Sequence, residues 1–223
     1  MRVDFIRHGH CLGDAFLRGR SPAKLSELGQ QQMSTALDHL GKPEWVVSSP
    51  AARCADLVNL YYESKAESPK VELWPDFQER SFGVWDGLSY EAIQALDAKG
   101  FQDYLDHPFD YEIAEAESLP SFESRVKLVF DQLLNRASTQ QLNHIAVVTH
   151  GGVMRVLLQQ VLGLSHESLF QFEIGFGVRM TLECFEVEAQ FQQTQETTKN
   201  SNYFIKLVEL VQNPLVKSEF DSI

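Results

Sequence analysis

Two histidines in this chain each follow an apolar run. Arg7-His8-Gly9 comes after Val3-Asp4-Phe5-Ile6, and Thr149-His150-Gly151-Gly152 comes after Ile145-Ala146-Val147-Val148. A neutral imidazole is a nucleophile or proton carrier near physiological pH. An arginine grips an oxyanion through two parallel hydrogen bonds. Arg7 beside one histidine, and the two glycines after the other, therefore predict an oxyanion pocket, with phosphate the best occupant. Two further segments fit that chemistry. Ser48-Ser49-Pro50 leads into Arg53, and Glu79 leads into Phe82-Gly83, Trp85 and Gly87. Arg53 falls in the first turn of a predicted helix, an end that already favours anions. Glu79 supplies a carboxyl able to give and take a proton. Singly, each has a plainer reading: a strand-end histidine, a solvated arginine, a surface glutamate. The combination favours chemistry.

Four separate segments can act together only if the fold brings strand ends to one edge. Apolar runs predict strands at 3–7, 45–48, 71–74 and 145–149, and period-two alternation adds 169–174, 180–187 and 203–210. The Gly175–Gly177 turn would join the fifth and sixth of these. Ser26 is a good N-cap for a helix to about residue 40, stopped by Gly41-Lys42-Pro43. Pro50 suits the start of a helix over 51–62. Helical segments at 89–99, 101–106 and 121–136 are interrupted by His107-Pro108 and Leu119-Pro120, and a last helix at 153–162 stops at Gly163. Strands alternating with helices predict a three-layer α/β/α fold, its sheet mostly parallel with an antiparallel edge. Ligands in such sheets bind outside the carboxyl ends of the strands, where both histidines fall. No repeat or linker divides the chain, so residues 1–223 are read as one domain with a helical insertion at about 89–136 and a tail at about 212–223 expected to fray.

Bulk composition narrows the field. The 223 residues carry a net charge of −12, from 31 acidic and 19 basic side chains, which disfavours a nucleic-acid surface. That charge does not exclude a phosphoester, because salt screens it beyond about 8 Å and converging arginines then dominate locally. No apolar stretch approaches the roughly 20 residues of a membrane span, and Met1-Arg2 enters the first strand without a signal-peptide layout. Three widely spaced cysteines, Cys11, Cys54 and Cys184, predict reduced thiols in a cytoplasmic protein rather than a zinc site. Cys54 and Cys184 read as core, and nothing in the sequence places a base beside Cys11. His10 beside His8 does not make a metal site, because adjacent loop positions rarely converge. His39, His107, His144 and His166 have no legible partners. No self-complementary patch is legible either, so oligomeric state is open.

The four segments, in this order, resemble the histidine phosphatase superfamily in its phosphoglycerate mutase-like branch. The resemblance runs from the first strand through His150 and its following helix. It implies that His8 attacks phosphorus and becomes a phosphohistidine, that Arg7, Arg53, His150 and Gly151 bind the phosphoryl group, and that Glu79 is the acid and base. It also implies a small phosphate monoester as partner and no cofactor or metal. Another branch places an aspartate directly after the second histidine; this chain has Gly151 there, leaving Glu79 as the acid. One departure is Asp14, where the family often has a phosphate-contacting asparagine. The stretch from Phe16-Leu17-Arg18-Gly19-Arg20-Ser21 into Leu25-Ser26-Glu27-Leu28-Gly29 resembles that of bacterial α-ribazole-5′-phosphate phosphatases. That reading gives Phe16, Trp85 and the aromatic stretch 101–111 as a wall for the base, with Arg18 or Arg20 at the rim. A mutase-like phosphotransferase, a broad-specificity phosphatase and an inert phospho-ligand binding module are the alternatives.

Overall fold

The computed structural model describes residues 1–65, 68–69, 71–187 and 202–215. The chain runs β1 (Arg2–Arg7), α1 (Glu27–Asp38), β2 (Trp45–Ser48), α2 (Ala52–Glu63) and β3 (Val71–Leu73), then α3 (Tyr90–Leu96), α4 (Ala98–Asp106) and α5 (Leu119–Thr139). It finishes with β4 (His144–Thr149), α6 (Gly151–Leu162), β5 (Arg179–Glu186) and β6 (Tyr203–Val211). The six strands form one sheet in the order β3-β2-β4-β1-β5-β6. The first four are mutually parallel; β5 runs antiparallel to β1, and β6 antiparallel to β5.

Side-chain alternation along the central strands creates the layers. Val3 and Phe5 of β1 and Ile145 and Val147 of β4 face one side, where Val126, Phe130 and Leu133 of α5 and Val153 and Leu157 of α6 cover them. Ile6, Ala146 and Val148 face the other side, against Met33 and Leu37 of α1 and Cys54 and Val58 of α2. Burial on both faces explains why these strands read as unbroken apolar runs. Each fully buried Val, Leu, Ile or Phe contributes about 1.5–3 kcal/mol, so the frame that delivers His8 and His150 cannot shift cheaply.

Local chemistry sets the helix ends. The Ser26 hydroxyl accepts from Gly29 N at 3.0 Å to cap α1, and Gly163 stops α6 at φ +65°. A third cluster, Leu17, Trp85, Ile93, Phe101 and Ile113, closes the α3–α4 region over the carboxyl ends of the strands.

Two expectations are corrected. Residues 169–174 are not a strand: a 3-10 turn spans Glu167–Gln171, with Leu169 N bonded to His166 O at 3.0 Å. Both edges of β1 are already taken, by β4 and β5, so the segment cannot enter the sheet beside β1. Leu119-Pro120 does not interrupt a helix but opens one, because the Ser118 hydroxyl accepts from Ser121 N at 3.3 Å and proline suits the first turn. Where fraying was expected from 212 onward, Asn213 is buried and donates to Gln32 O at 2.8 Å. The polar stretch at 190–201 and the chain end at 216–223 lie outside the described residues. Among the described residues no helix is long and apolar enough to cross a membrane.

Candidate active site

β1 and β4 are adjacent and in register, Arg7 opposite Thr149, so their next residues, His8 and His150, emerge side by side. The two rings lie 5.2 Å apart, centroid to centroid, at 67°. Gly9 is required by packing: a Cβ there would collide with the backbone of Gly29 in α1. The small residue lets α1 press against the loop that carries His8.

His8 Nδ1 lies 2.8 Å from Gly9 O. A carbonyl can only accept, so in the neutral ring Nδ1 bears the proton and Nε2 keeps its lone pair. Burial, then the charges of Arg7 and Arg53, push the pKa of His8 well below 6.5. His150 is buried, with Nδ1 3.2 Å from Arg53 Nη2 and Nε2 2.8 Å from Ser49 Oγ. A guanidinium can only donate, so Nδ1 accepts and Nε2 carries the proton that Ser49 receives. Burial, then Arg53, lower the pKa of His150 too.

Arg53, in the first turn of α2, is 1% exposed. Its Nη1 donates to Ser21 O at 3.2 Å, while Nη2 donates to Gly19 O at 2.5 Å and Arg18 O at 3.5 Å. No carboxylate among the described residues pairs with it, and its Nε is buried without a partner. Arg7 donates from Nη1 to Ile174 O, and its Nε is likewise unpartnered. Burial, then the nearby Arg155 charge, lower the Arg7 pKa to about 10, still charged at neutral pH. Two desolvated cations that make no ion pair among the described residues, though Glu79 lies close enough to act on Arg7, form a strong site for a dianion.

Glu79 reaches the start of α6. Its Oε2 accepts from Gly152 N at 2.9 Å, and its Oε1 from Arg80 N at 3.0 Å. A Cβ at 152 would overlap the carboxyl, so the second glycine after His150 makes room for Glu79. Gly151 is the first residue of α6, and a Cβ there would stand 3.2 Å from Arg7 Nε and 3.4 Å from Arg155 Nη1.

All six residues singled out from the sequence thus meet at one edge of the sheet. Two neighbours escaped sequence reading, Arg155 and Phe176, and two that it named, Ser49 and Cys11, had no contact legible there. Ser49 holds His150; Arg155 brings a further guanidinium beside Gly151; Cys11 Sγ sits 3.7 Å from His8 Nδ1; and the half-buried Phe176 covers Arg7, its centroid 4.1 Å from Cζ and 5.8 Å from the His8 ring. The Gly175–Gly177 turn was the one available signal for Phe176; the His8 nitrogen beside Cys11 is the protonated Nδ1, so it is not a base toward this thiol.

The expected aromatic wall is corrected. Trp85 is 2% exposed and stacked on Tyr111 at 5.5 Å, and Phe101 is equally buried, so these rings are core beneath the surface. Phe16 is exposed and meets the likewise exposed Tyr90 at 5.6 Å. Arg18 is occupied by Leu12 O and Gly13 O, and Arg20 by Glu117 at 3.3 Å. Asp14 is exposed. His10 is engaged by Ser26 at 2.8 Å, and His39 by Thr35 O at 2.7 Å. His144 and His166 do have partners, Asp4 at 2.7 Å and Glu123 at 2.5 Å. Among the described residues no group of three or more His, Cys, Asp or Glu could hold a metal ion.

A neutral imidazole with a free Nε2 beside two buried guanidiniums, at the carboxyl edge of an α/β sheet, is a geometry that can bind a phosphoryl group. The chain belongs to the histidine phosphatase superfamily (branch 1), whose model matches residues 3–197. It is 25% identical to the adenosylcobalamin/alpha-ribazole phosphatase of Escherichia coli (strain K12), over 79% of this chain and 87% of that one. It is 27% identical to a metal-independent phosphoserine phosphatase of Arabidopsis thaliana, over 71% and 68% respectively. The solved alpha-ribazole phosphatase from Shigella flexneri shares the fold at a TM-score of 0.71 and 23% identity, over 86% of this chain and 93% of that one.

Proposed function

We propose that the protein hydrolyses small phosphate monoesters through a phosphohistidine on His8, with α-ribazole 5′-phosphate as the preferred substrate. The observation that carries the phosphatase reading is the pairing of His8, whose free Nε2 is held neutral, with Arg53, whose buried charge meets no carboxylate. In the first step Nε2 attacks phosphorus and the P–O ester bond breaks. Its electron pair leaves on the ester oxygen, which takes a proton from the protonated Glu79. The ring becomes cationic as the N–P bond forms, and Gly9 O holds the Nδ1 proton that stabilises it. Arg7, Arg53 and the Gly151 end of α6 hold the phosphoryl oxygens, and His150 joins them by turning its Nε2–H from Ser49 to phosphate. In the second step Glu79 takes a proton from water, which attacks phosphorus. The N–P bond breaks, and phosphate leaves with His8 neutral and Glu79 protonated again.

Two things support α-ribazole phosphate: the resemblance of the loop over residues 16–29, and the relatives of that name, in Escherichia coli among others. Phosphate release should be measured with EDTA present, across α-ribazole 5′-phosphate, phosphoserine, phosphoglycerates and p-nitrophenyl phosphate. A kcat/KM for α-ribazole phosphate at least tenfold above the others supports the full reading. Parity with p-nitrophenyl phosphate removes the substrate and leaves a broad-specificity phosphatase. Transfer of the phosphoryl group to an acceptor without net release identifies a mutase-like phosphotransferase. No reaction with any ester identifies a binding module.

A further inference from the structure

Besides His150, one loop that belongs to no helix or strand orients Arg53. The three carbonyls that accept from it, Arg18 O, Gly19 O and Ser21 O, come from residues 18–21. The opposite side of the same loop is gathered by Asp86. Its Oδ1 accepts from Gly19 N at 3.1 Å and Ser21 N at 3.0 Å; its Oδ2 accepts from Arg20 N at 2.7 Å and Phe82 N at 3.3 Å. Arg18 O and Gly19 N belong to one peptide group, as do Gly19 O and Arg20 N. In a trans peptide the N–H and C=O point to opposite edges. Two peptide groups therefore stand between the carboxylate and the guanidinium, each with its N–H on Asp86 and its C=O on Arg53.

We infer that Asp86 is a positioning residue for phosphate capture, acting on Arg53 through the 18–19 and 19–20 peptide groups. The inference rests on the phosphatase reading of the site. Its physical content is that an acidic partner at one remove polarises the intervening peptides and fixes the guanidinium. A carboxylate in direct contact would form a salt bridge and compete with the phosphoryl group for the same donors. Asp86 lends its charge without occupying Arg53 Nε, which stays unpartnered. The loop has no slack for another arrangement, because a Cβ at Gly19 would meet Asp86 Oδ2 at 2.5 Å. Burial alone would raise the Asp86 pKa; the hydrogen bonds from Arg20, Ser21 and Phe82 outweigh it and hold the group below the usual carboxylate range.

The test is a double-mutant cycle of Asp86→Asn and Arg53→Ala, read by the inhibition constant of inorganic phosphate and by kcat/KM on aryl and alkyl esters. The amide of D86N keeps one acceptor oxygen but turns an NH2 toward the backbone N–H groups that faced the other, so two of the four hydrogen bonds are lost and the negative charge with them. Expected for D86N are a phosphate inhibition constant at least tenfold weaker and a kcat/KM loss equal on both ester types. The double variant should be no worse than R53A alone. Full additivity of the two losses, or phosphate inhibition in D86N equal to the parent, overturns the inference. Should D86N fail to fold by circular dichroism, Asp86→Glu, with its acceptor displaced by one methylene, is put through the same cycle and judged by the same non-additivity. Parent protein that neither binds phosphate nor hydrolyses any ester would instead sink the phosphatase reading itself.

Discussion

Replacing Gly152 by alanine separates helix stability from proton transfer. A Cβ at this position would stand 2.9 Å from Glu79 Cδ and closer still to Oε1, where ordinary contact begins near 3.4 Å. The carboxyl must retreat by about 1 Å, a misplacement that can cost about 10²-fold in rate. It also gives up the 2.9 Å hydrogen bond from Gly152 N. That lost bond costs about 1.5 kcal/mol, while alanine for glycine in a helix returns about 0.5–1 kcal/mol, so stability should stay within about 1 kcal/mol of the parent. The catalytic loss should depend on the leaving group. Alkyl phosphates need a proton on the departing oxygen and should slow about 10²-fold; p-nitrophenyl phosphate does not and should slow less than tenfold. Steady-state kcat/KM over a graded ester series reads this out, because it excludes the hydrolysis of the phosphoenzyme common to all esters, with urea unfolding as the control. Equal losses on both ester types, or full activity on alkyl esters, would refute the placement of Glu79 as the acid.

Other consequences are as direct. Glu79→Gln, which keeps the side-chain shape but cannot protonate, should reproduce the same leaving-group dependence; a uniform loss would assign Glu79 to ground-state binding. His8 is pushed well below 6.5, so its nucleophilic neutral form persists as pH falls through that value. The acid limb of kcat/KM, corrected for ionisation of the ester, should therefore lie below pH 6.5, and a limb at 6.5 or above contradicts it. Asp4 is buried in β1, with His144 at 2.7 Å, Arg2 at 2.8 Å and Thr181 at 2.5 Å. Burial pushes its pKa up, but these hydrogen bonds prevail and leave it below 3.8. A depressed carboxyl stabilises above its unfolded pKa, and that contribution disappears as pH falls through the folded one. Asp4→Asn should thus lose about 3 kcal/mol at pH 7 by urea unfolding, and the loss should shrink as pH is lowered stepwise below 3.8. A loss that grows as pH falls would contradict the depressed carboxyl.

The reactive core of the site was legible because short-range rules act on it. His8 and His150 follow apolar runs that must be strands, and Gly41 and Gly163 carry the positive φ of helix stops. Contacts made across the fold left weaker traces. The tautomers of His8 and His150 depend on Gly9 O, Arg53 and Ser49, and no spacing rule predicts that 101 residues separate Ser49 from the ring it holds. The 169–174 segment misled because period-two alternation does not show whether a partner strand is there, and Phe170, one of its apolar positions, is exposed. The aromatic stretch misled in a related way: ring-rich sequence does not say which rings face solvent, and Trp85 and Phe101 face inward. Asp86 looks like any loop acid until its four backbone donors are seen together.

The most direct test of the account is rapid-quench labelling with a phosphate ester carrying radioactive phosphorus, followed by mapping of the labelled peptide. The expected result is an acid-labile, base-stable phosphohistidine at residue 8, approaching one per chain during turnover and missing in His8→Ala. Label on His150, or turnover with no label at all, would contradict the covalent mechanism.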